Sequence, residues 1–366
     1  MKNPNYISLC FTIFCWAWSL QTEAKTMTQT ADKIAAIAPD LLQKHDVPSV
    51  AVALIGNGEI QSIQHFGYQT WGYKANTQTL YNVASLTKPV TAEIVLRLIS
   101  QQKLQLDTKL ASYFVDSDVK GDDRVSLLTP EVVMRHRTGF PNWRYETAGK
   151  LQFIAQPDTQ TQYSGEGYEW MMKAVSAVMN TDFETLARTH LFEPAGMQFT
   201  SYTLTNDFIG RVAVPYKEGE APYNVIRNKP SASDDLRTTV GEYATFMLSV
   251  FEGNAVATEL RERQFKIEHT VRYRSACMAT PLPDFCPQRQ GWGLGWMIYD
   301  WGDMRLIEHS GGDHGERTLA LYNPDAKRGL VVLTNGANGF EVIKAIAAEF
   351  EPDSRFKLFL ASPFAE

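Results

Sequence analysis

The stretch from Leu80 to Ile99, L-Y-N-V-A-S-L-T-K-P-V-T-A-E-I-V-L-R-L-I, constrains this chain more than any other. An apolar run, Leu80 to Ala84, leads straight into Ser85, and Lys88 follows three residues on. Behind them Val90, Ile94, Val95 and Leu98 recur at helical spacing, which predicts a buried amphipathic helix. Ser85 then stands at the helix start, with Lys88 one turn later on the same face. A free hydroxyl is a weak nucleophile and needs a base within hydrogen-bond reach. A lysine buried one turn away loses charge stabilisation, so its pKa is expected to fall until it can take the proton. The helix start adds backbone N–H groups that can face a developing oxyanion.

S-x-x-K fixes two of four positions, and about one chance match is expected in a chain this long. Ser117-Asp-Val-Lys120 is such a match. It lies in D-S-D-V-K-G-D-D-R with no apolar helix behind it, and reads as a solvated loop.

At 366 residues the chain holds one large domain or two, and no glycine-serine linker divides it. The net charge is −6 with no basic stripe, which argues against a nucleic-acid partner. Residues 1–24 have the pattern of a secretory signal peptide. Lys2 supplies the positive start, Tyr6 to Leu20 is almost wholly apolar, and Thr22-Glu23-Ala24 offers a cleavage site. The apolar run is short for a transmembrane span, so no stable membrane insertion is expected; an uncleaved anchor is the alternative. A periplasmic or secreted protein is the expectation, with residues 25–366 as its one domain. Cys10 and Cys15 fall in the signal segment, without the small preceding residue that a lipid-anchored cysteine needs.

Two cysteines remain, Cys277 and Cys286. In an oxidising compartment this close pair is a disulfide candidate; two free thiols are the alternative. A metal site needs more ligands than lie nearby, and none is expected.

In chain order, Lys33 to Leu42 is helical by periodicity. Ser49 to Ile55 and Ile60 to Gly67 form a hairpin about Gly56-Asn57-Gly58. Thr129-Pro130-Glu131 starts a helix expected to end at Arg137-Thr138-Gly139. Helices follow at Tyr168–Met179 and Phe183–His190, and Thr239-Val-Gly-Glu242 is a capping box opening another, to Phe251. Trp292 to Trp301 and Arg305 to His309 read as a hairpin, as do Thr318 to Tyr322 and Leu330 to Thr334. Phe340 to Phe350 closes as a helix. The expected fold class is α+β. One antiparallel sheet is built from residues 45–80 and 290–340, flanked by helices, with a helical region at about 85–260 inserted.

The block Tyr81-Asn-Val-Ala-Ser-Leu-Thr-Lys-Pro-Val-Thr-Ala resembles the active-site block of the serine β-lactamase-like hydrolases. That superfamily holds class C β-lactamases, DD-peptidases, D-aminopeptidases and related esterases. Three short elements mark it, and candidates for all three occur in order. They are Ser85-x-x-Lys88; Tyr163-Ser164-Gly165, resembling Y-x-N; and His309-Ser310-Gly311, resembling K-T-G. Met134-Arg-His-Arg-Thr-Gly-Phe-Pro141, Leu191-Phe-Glu-Pro-Ala-Gly-Met197, Gly291-Trp-Gly-Leu-Gly-Trp296 and Val331-Val-Leu-Thr-Asn335 also match the family's style. His65-Phe-Gly67 and Arg137-Thr-Gly139 are decoys for the third element.

The resemblance implies Ser85 as nucleophile, Lys88 as its partner, and Tyr163 acting with Lys88 as proton shuttle. It implies an oxyanion hole made by the backbone N–H groups of Ser85 and Gly312. His309, Ser310, Gly311 and Gly165 would line the substrate. Two departures bear on substrate class. Gly165 stands where the family often has Asn, with Glu166 beside it as a partial substitute. His309 stands where β-lactamases usually have Lys, and a neutral imidazole near its reference pKa of ~6.5 holds a substrate carboxylate less firmly. The implied activity is hydrolysis of small amides or esters through an acyl-enzyme, without a cofactor. D-amino-acid peptides and short esters are the substrate classes, with β-lactams as poorer substrates. The alternative is a penicillin- or peptide-recognising sensor, or a catalytically silent binding protein of the same fold. The expected partner is a small-molecule or peptide substrate, and the oligomeric state is open.

Overall fold

The computed structural model describes residues 27–220 and 228–364. The signal pattern at residues 1–24 lies outside the described residues. At the centre is an eight-stranded, wholly antiparallel sheet drawn from both ends of the chain. Its strands are β1 (Ser49–Gly56), β2 (Glu59–Thr70), β3 (Tyr73–Lys74), β6 (Arg289–Trp292), β7 (Met297–Asp300), β8 (Arg305–Gly312), β9 (Arg317–Asn323) and β10 (Arg328–Thr334). Their order across the sheet is β3-β2-β1-β10-β9-β8-β7-β6. A separate two-stranded piece pairs β4 (Tyr81–Asn82) with β5 (Arg237–Thr238).

Both faces of the sheet are covered, and β1 shows why its sequence is apolar without interruption. Successive side chains of a strand point to opposite faces. Val50, Val52 and Leu54 pack with Ile34, Ile346 and Phe350, from helical residues 27–45 and the helix Gly339–Phe350. Ala51, Ala53 and Ile55 face the larger core, which holds Val90, Ile94, Val95 and Leu98 of the helix Thr87–Ser100. That helix is buried from Thr87 to Leu98, so it runs through the interior. The architecture is therefore mixed α+β, helices on both faces of one antiparallel sheet, as the patterning predicts.

Three elements differ from their sequence reading. The helix capped by Thr129 spans only Pro130–Met134, because His136 takes a left-handed backbone, φ +56°. Trp292 to Trp301 is not one strand but the hairpin β6–β7, broken at Gly293 to Trp296. Gly295 has φ +88°, and a Cβ there would sit 2.5 Å from the Ala92 Cβ, so the break lets the hairpin lie against the central helix. Thr239 caps the helix Val240–Phe251 by accepting from Glu242 N–H, but Glu242 does not reach back. Its carboxylate instead accepts from Phe199 N–H at 2.9 Å and Thr200 Oγ1 at 2.6 Å, tying a distant loop to the cap.

Cys277 and Cys286 are joined by a disulfide, both buried, with Cα atoms 5.6 Å apart. Among the described residues no helix is long and apolar enough to cross a membrane.

Candidate active site

Ser85 occupies the short 3-10 turn Ala84–Leu86 that feeds the helix Thr87–Ser100. The turn is strained and stapled. Ala84 holds φ +48°, a conformation costing an L-residue about 1–3 kcal/mol. Its N–H donates to Asn82 Oδ1 at 2.9 Å and its carbonyl accepts from Thr87 Oγ1 at 2.6 Å. Tyr243 Oη donates to the Leu86 carbonyl at 2.9 Å. Residues around Ser85 are thus fixed on both sides while Ser85 itself stays half-buried.

Lys88 is completely buried, and its Nζ donates to Ser85 Oγ at 3.1 Å. It also donates to the Ser233 carbonyl at 2.9 Å. That carbonyl is set by Glu169, whose Oε1 accepts from Ser233 N–H at 3.1 Å, Ser233 Oγ at 2.5 Å and Ser231 Oγ at 2.7 Å. The Tyr163 ring lies under Lys88 Nζ, 4.8 Å to its centroid, and the Tyr168 ring is 6.0 Å away. Among the described residues no carboxylate forms an ion pair with Lys88. Neutral oxygens and ring faces surround Nζ instead.

Tyr163 precedes the helix Gly165–Met179, whose cap is Ser164. Ser164 Oγ accepts from Gly167 N–H at 3.0 Å and donates to the Pro141 carbonyl at 2.8 Å. Gly165 N–H donates to Asn142 Oδ1 at 2.9 Å, and a Cβ on Gly165 would meet the Trp143 ring at 3.0 Å. Glu166 is no stand-in for a missing amide. Its carboxylate is buried and held by Arg144, with contacts of 2.7 and 3.0 Å.

The far wall is β8. A Cβ on Gly311 would lie 3.0 Å from Ser85 N and 2.5 Å from the Val83 carbonyl, so only glycine lets the strand lie this close to the nucleophile turn. Thr318 Oγ1, on β9 opposite Gly311, donates to the same Val83 carbonyl at 2.8 Å. Gly312 follows at the strand end. His309 is 2% exposed, its ring 5.4 Å from Trp292 and 6.3 Å from Tyr163. Its Nδ1–H donates to the Ser310 carbonyl at 2.7 Å. That fixes the tautomer and leaves Nε2 a bare acceptor with no partner among the described residues. Burial first, then the nearby Lys88 charge, pushes the His309 pKa down to about 3, against the opposing pull of the Ser310 carbonyl. The ring is therefore neutral well below physiological pH. Ser310 points to the other face of β8, where it bonds Glu308.

Ser85, Lys88, Tyr163, His309 and Gly311 thus converge, whereas the look-alikes do not. Ser117 and Lys120 are both exposed. Ser354-Arg-Phe-Lys357 matches the motif as well, but Ser354 and Lys357 are also exposed. His65 sits on β2, and Arg137 is paired with Asp158 at 2.6 Å. Sequence reasoning read Trp292 as core or pocket wall, which its packing on Tyr163 and His309 matches, and assigned no role to His136, Ser233 or Asn142. His136 lay in a stretch already noticed for its style, but a backbone carbonyl such as that of Ser233 has no sequence signal.

Beside the site, Asp234, Asp235 and Asp313 bring carboxylate oxygens within 4.8 Å of one another. Burial and the neighbouring Asp235 and Asp313 raise the Asp234 pKa to about 8, so this acid tends to keep its proton at neutral pH.

The Beta-lactamase family model matches residues 34–351. Penicillin-binding protein 4 of Amycolatopsis lactamdurans is 22% identical over 327 residues, covering 81% of this chain and 83% of that protein. Protein flp of Staphylococcus aureus strain MW2 is 22% identical over 323 residues, covering 80% of this chain, which spans only 61% of that protein's length. Among solved structures, D-alanine carboxypeptidase AmpC from Burkholderia cenocepacia superposes with TM-score 0.72 at 17% identity, over 88% of this chain and 99% of that one. A class C β-lactamase gives TM-score 0.70 at 16% identity, over 88% and 95%. At these identities the structural likeness establishes the fold. With the family model spanning nearly all of the described residues and that fold around Ser85, the chain belongs to the Beta-lactamase family.

Proposed function

We propose that this protein is a serine hydrolase that works through an acyl-enzyme on small amides or esters. The observation that carries the reading is the 3.1 Å contact between Ser85 Oγ and the fully buried Lys88 Nζ. A nucleophile needs a base at this distance, and burial keeps bulk water from replacing it. Ser85 Oγ attacks the substrate carbonyl carbon as its proton passes to the Lys88–Tyr163 pair, which acts in the form that is one proton short, with either the Lys88 amine neutral or Tyr163 ionised. The backbone N–H groups of Ser85 and Gly312 hold the oxyanion; the close packing of Gly311 on Ser85 N supports this pairing. Collapse of the tetrahedral centre breaks the bond to the amine or alkoxide, which leaves with the shuttled proton. Water then attacks the acyl group, and Ser85 recovers its proton as the acid is released. No cofactor enters this sequence.

The substrate classes are D-amino-acid peptides and short esters, with β-lactams as poorer substrates, in line with relatives named as penicillin-binding proteins and a D-alanine carboxypeptidase. His309, Gly311 and Gly165 line the acyl side. We also propose an exported, periplasmic or secreted protein, which the Cys277–Cys286 disulfide supports.

A fluorophosphonate probe tests the reading. Ser85→Ala should abolish covalent labelling, and Ser117→Ala should leave it intact. Equal labelling of the two variants would remove Ser85 as the nucleophile. Lys88→Ala should slow labelling by roughly a hundredfold or more with the melting transition retained.

A further inference from the structure

Directly behind Tyr163 lies a residue whose conformation stability alone does not explain. His136 is fully buried and holds φ +56°, a left-handed backbone that costs any residue but glycine. The turn this makes carries its imidazole inward. The ring stacks on Tyr163 with centroids 4.3 Å apart and planes 29° from parallel. It meets Trp292 nearly edge-on at 4.4 Å and tilts against Tyr168 at 5.4 Å. Its Nδ1 accepts from Ser164 N–H at 3.1 Å, and its carbonyl accepts from Gln162 N–H at 2.7 Å. The residues on either side of Tyr163 are therefore both tied to His136.

Because Nδ1 accepts, the ring proton sits on Nε2, and that buried N–H has no partner among the described residues. The orphaned donor is a cost that a well-packed apolar side chain would avoid, and the left-handed backbone is one that glycine would avoid. Burial, and then the charge of Lys88 and the neighbouring His309, hold the His136 pKa well below its usual value. It therefore adds no positive charge of its own beside Lys88.

We propose that His136 is a positioning residue for Tyr163, its ring face and two backbone hydrogen bonds fixing the tyrosine beside Lys88. This rests on the reading of Tyr163 as proton carrier.

The test is a double-mutant cycle read by fluorophosphonate labelling, with the rate split into probe binding and the covalent step. His136→Asn removes the ring but keeps an acceptor for Ser164 N–H, and asparagine tolerates a left-handed backbone. Tyr163→Phe removes only the hydroxyl and leaves a ring to stack. His136→Asn should slow the covalent step by roughly tenfold or more while probe binding stays within about twofold. In the Tyr163→Phe background the same change should cost less than about twofold, because the hydroxyl it positions is gone. An equal loss in both backgrounds, or none in the parent, overturns the positioning role. A normal covalent step in Tyr163→Phe itself overturns the reading of Tyr163, and that outcome is read separately from the cycle. A melting temperature within about 5 °C of the parent certifies the fold. His136→Gln, with a longer reach for the same acceptor, replaces the asparagine variant if that one melts lower.

Discussion

At the scale of single residues, we propose that His309 sets what the pocket accepts. Its one ring proton is spent on the Ser310 carbonyl, and its bare Nε2 faces inward. A lone pair repels a carboxylate rather than binding it. The sequence-based value of ~6.5 for a histidine would place a pH switch in the working range; burial moves the pKa to about 3 and removes it. Turnover of an anionic β-lactam such as nitrocefin, relative to a neutral p-nitrophenyl ester, should therefore stay flat from about pH 8 to 5. A ratio climbing as pH falls would show His309 titrating in that range. His309→Lys should raise the ratio at neutral pH by roughly ten- to a hundredfold, the worth of one charge-assisted hydrogen bond. Because both substrates are compared within one enzyme, general loss of catalytic power cancels. Ser85 and Lys88 were legible in the sequence because a motif and a helical period coincide there. The role of His136 was not, since nothing in R-H-R-T-G announces a left-handed backbone or a ring stacked on a tyrosine 27 positions later.

At the scale of elements, the site is made by pressing one strand against one turn. The end of β8 lies on the Ser85 turn, with Thr318 of β9 bonded to the same Val83 carbonyl. Two neighbouring glycines there should respond differently to the same added methyl. On Gly311 it would intrude on Ser85 N, the Val83 carbonyl and Thr318 Oγ1, which are backbone or fixed. On Gly312 it would meet only Arg317 Cδ and the Phe340 ring at 3.5–3.6 Å, ordinary contact. Gly311→Ala should therefore cost roughly a hundredfold or more in probe labelling, and Gly312→Ala less than about tenfold. Equal effects would mean that the strand is not held by this contact. The hairpins about Gly56–Gly58 and Asn323–Asp325 were readable from turn chemistry. The break in Trp292–Trp301 was not, because G-L-G between apolar residues fits a strand as well as a turn docked on a helix. The helix expected to run to Gly139 stopped at Met134 for a tertiary reason, the inward turn of His136.

At the scale of the whole molecule, both faces of the sheet are covered, and the site sits where β8 meets the inserted helical region. The sequence showed strands at both ends and helices between them, but not the acidic group that this closure gathers. Glu316 is drawn inside, its carboxylate accepting from Asn82 Nδ2 at 3.2 Å and Gly315 N–H at 3.0 Å. Burial, and then the charge of Asp313, raise its pKa to about 7, from the 4.5 of an ordinary glutamate. Between those two values the folded protein keeps a proton that the unfolded chain has lost. This contribution to stability is therefore complete below about pH 4.5 and is lost as pH rises through about 7. Glu316→Gln removes the titration. One of its two contacts then faces an amide NH2 in place of an oxygen, a cost that does not change with pH. The difference between variant and parent melting temperatures should consequently shift in favour of the variant by about 2–4 °C between pH 5.5 and 8.5. Groups that titrate alike in both proteins, His309 and His136 included, cancel from that difference. A difference that stays constant with pH would mean that the Glu316 charge is accommodated by Arg237 and Asn82 without loss to the folded state.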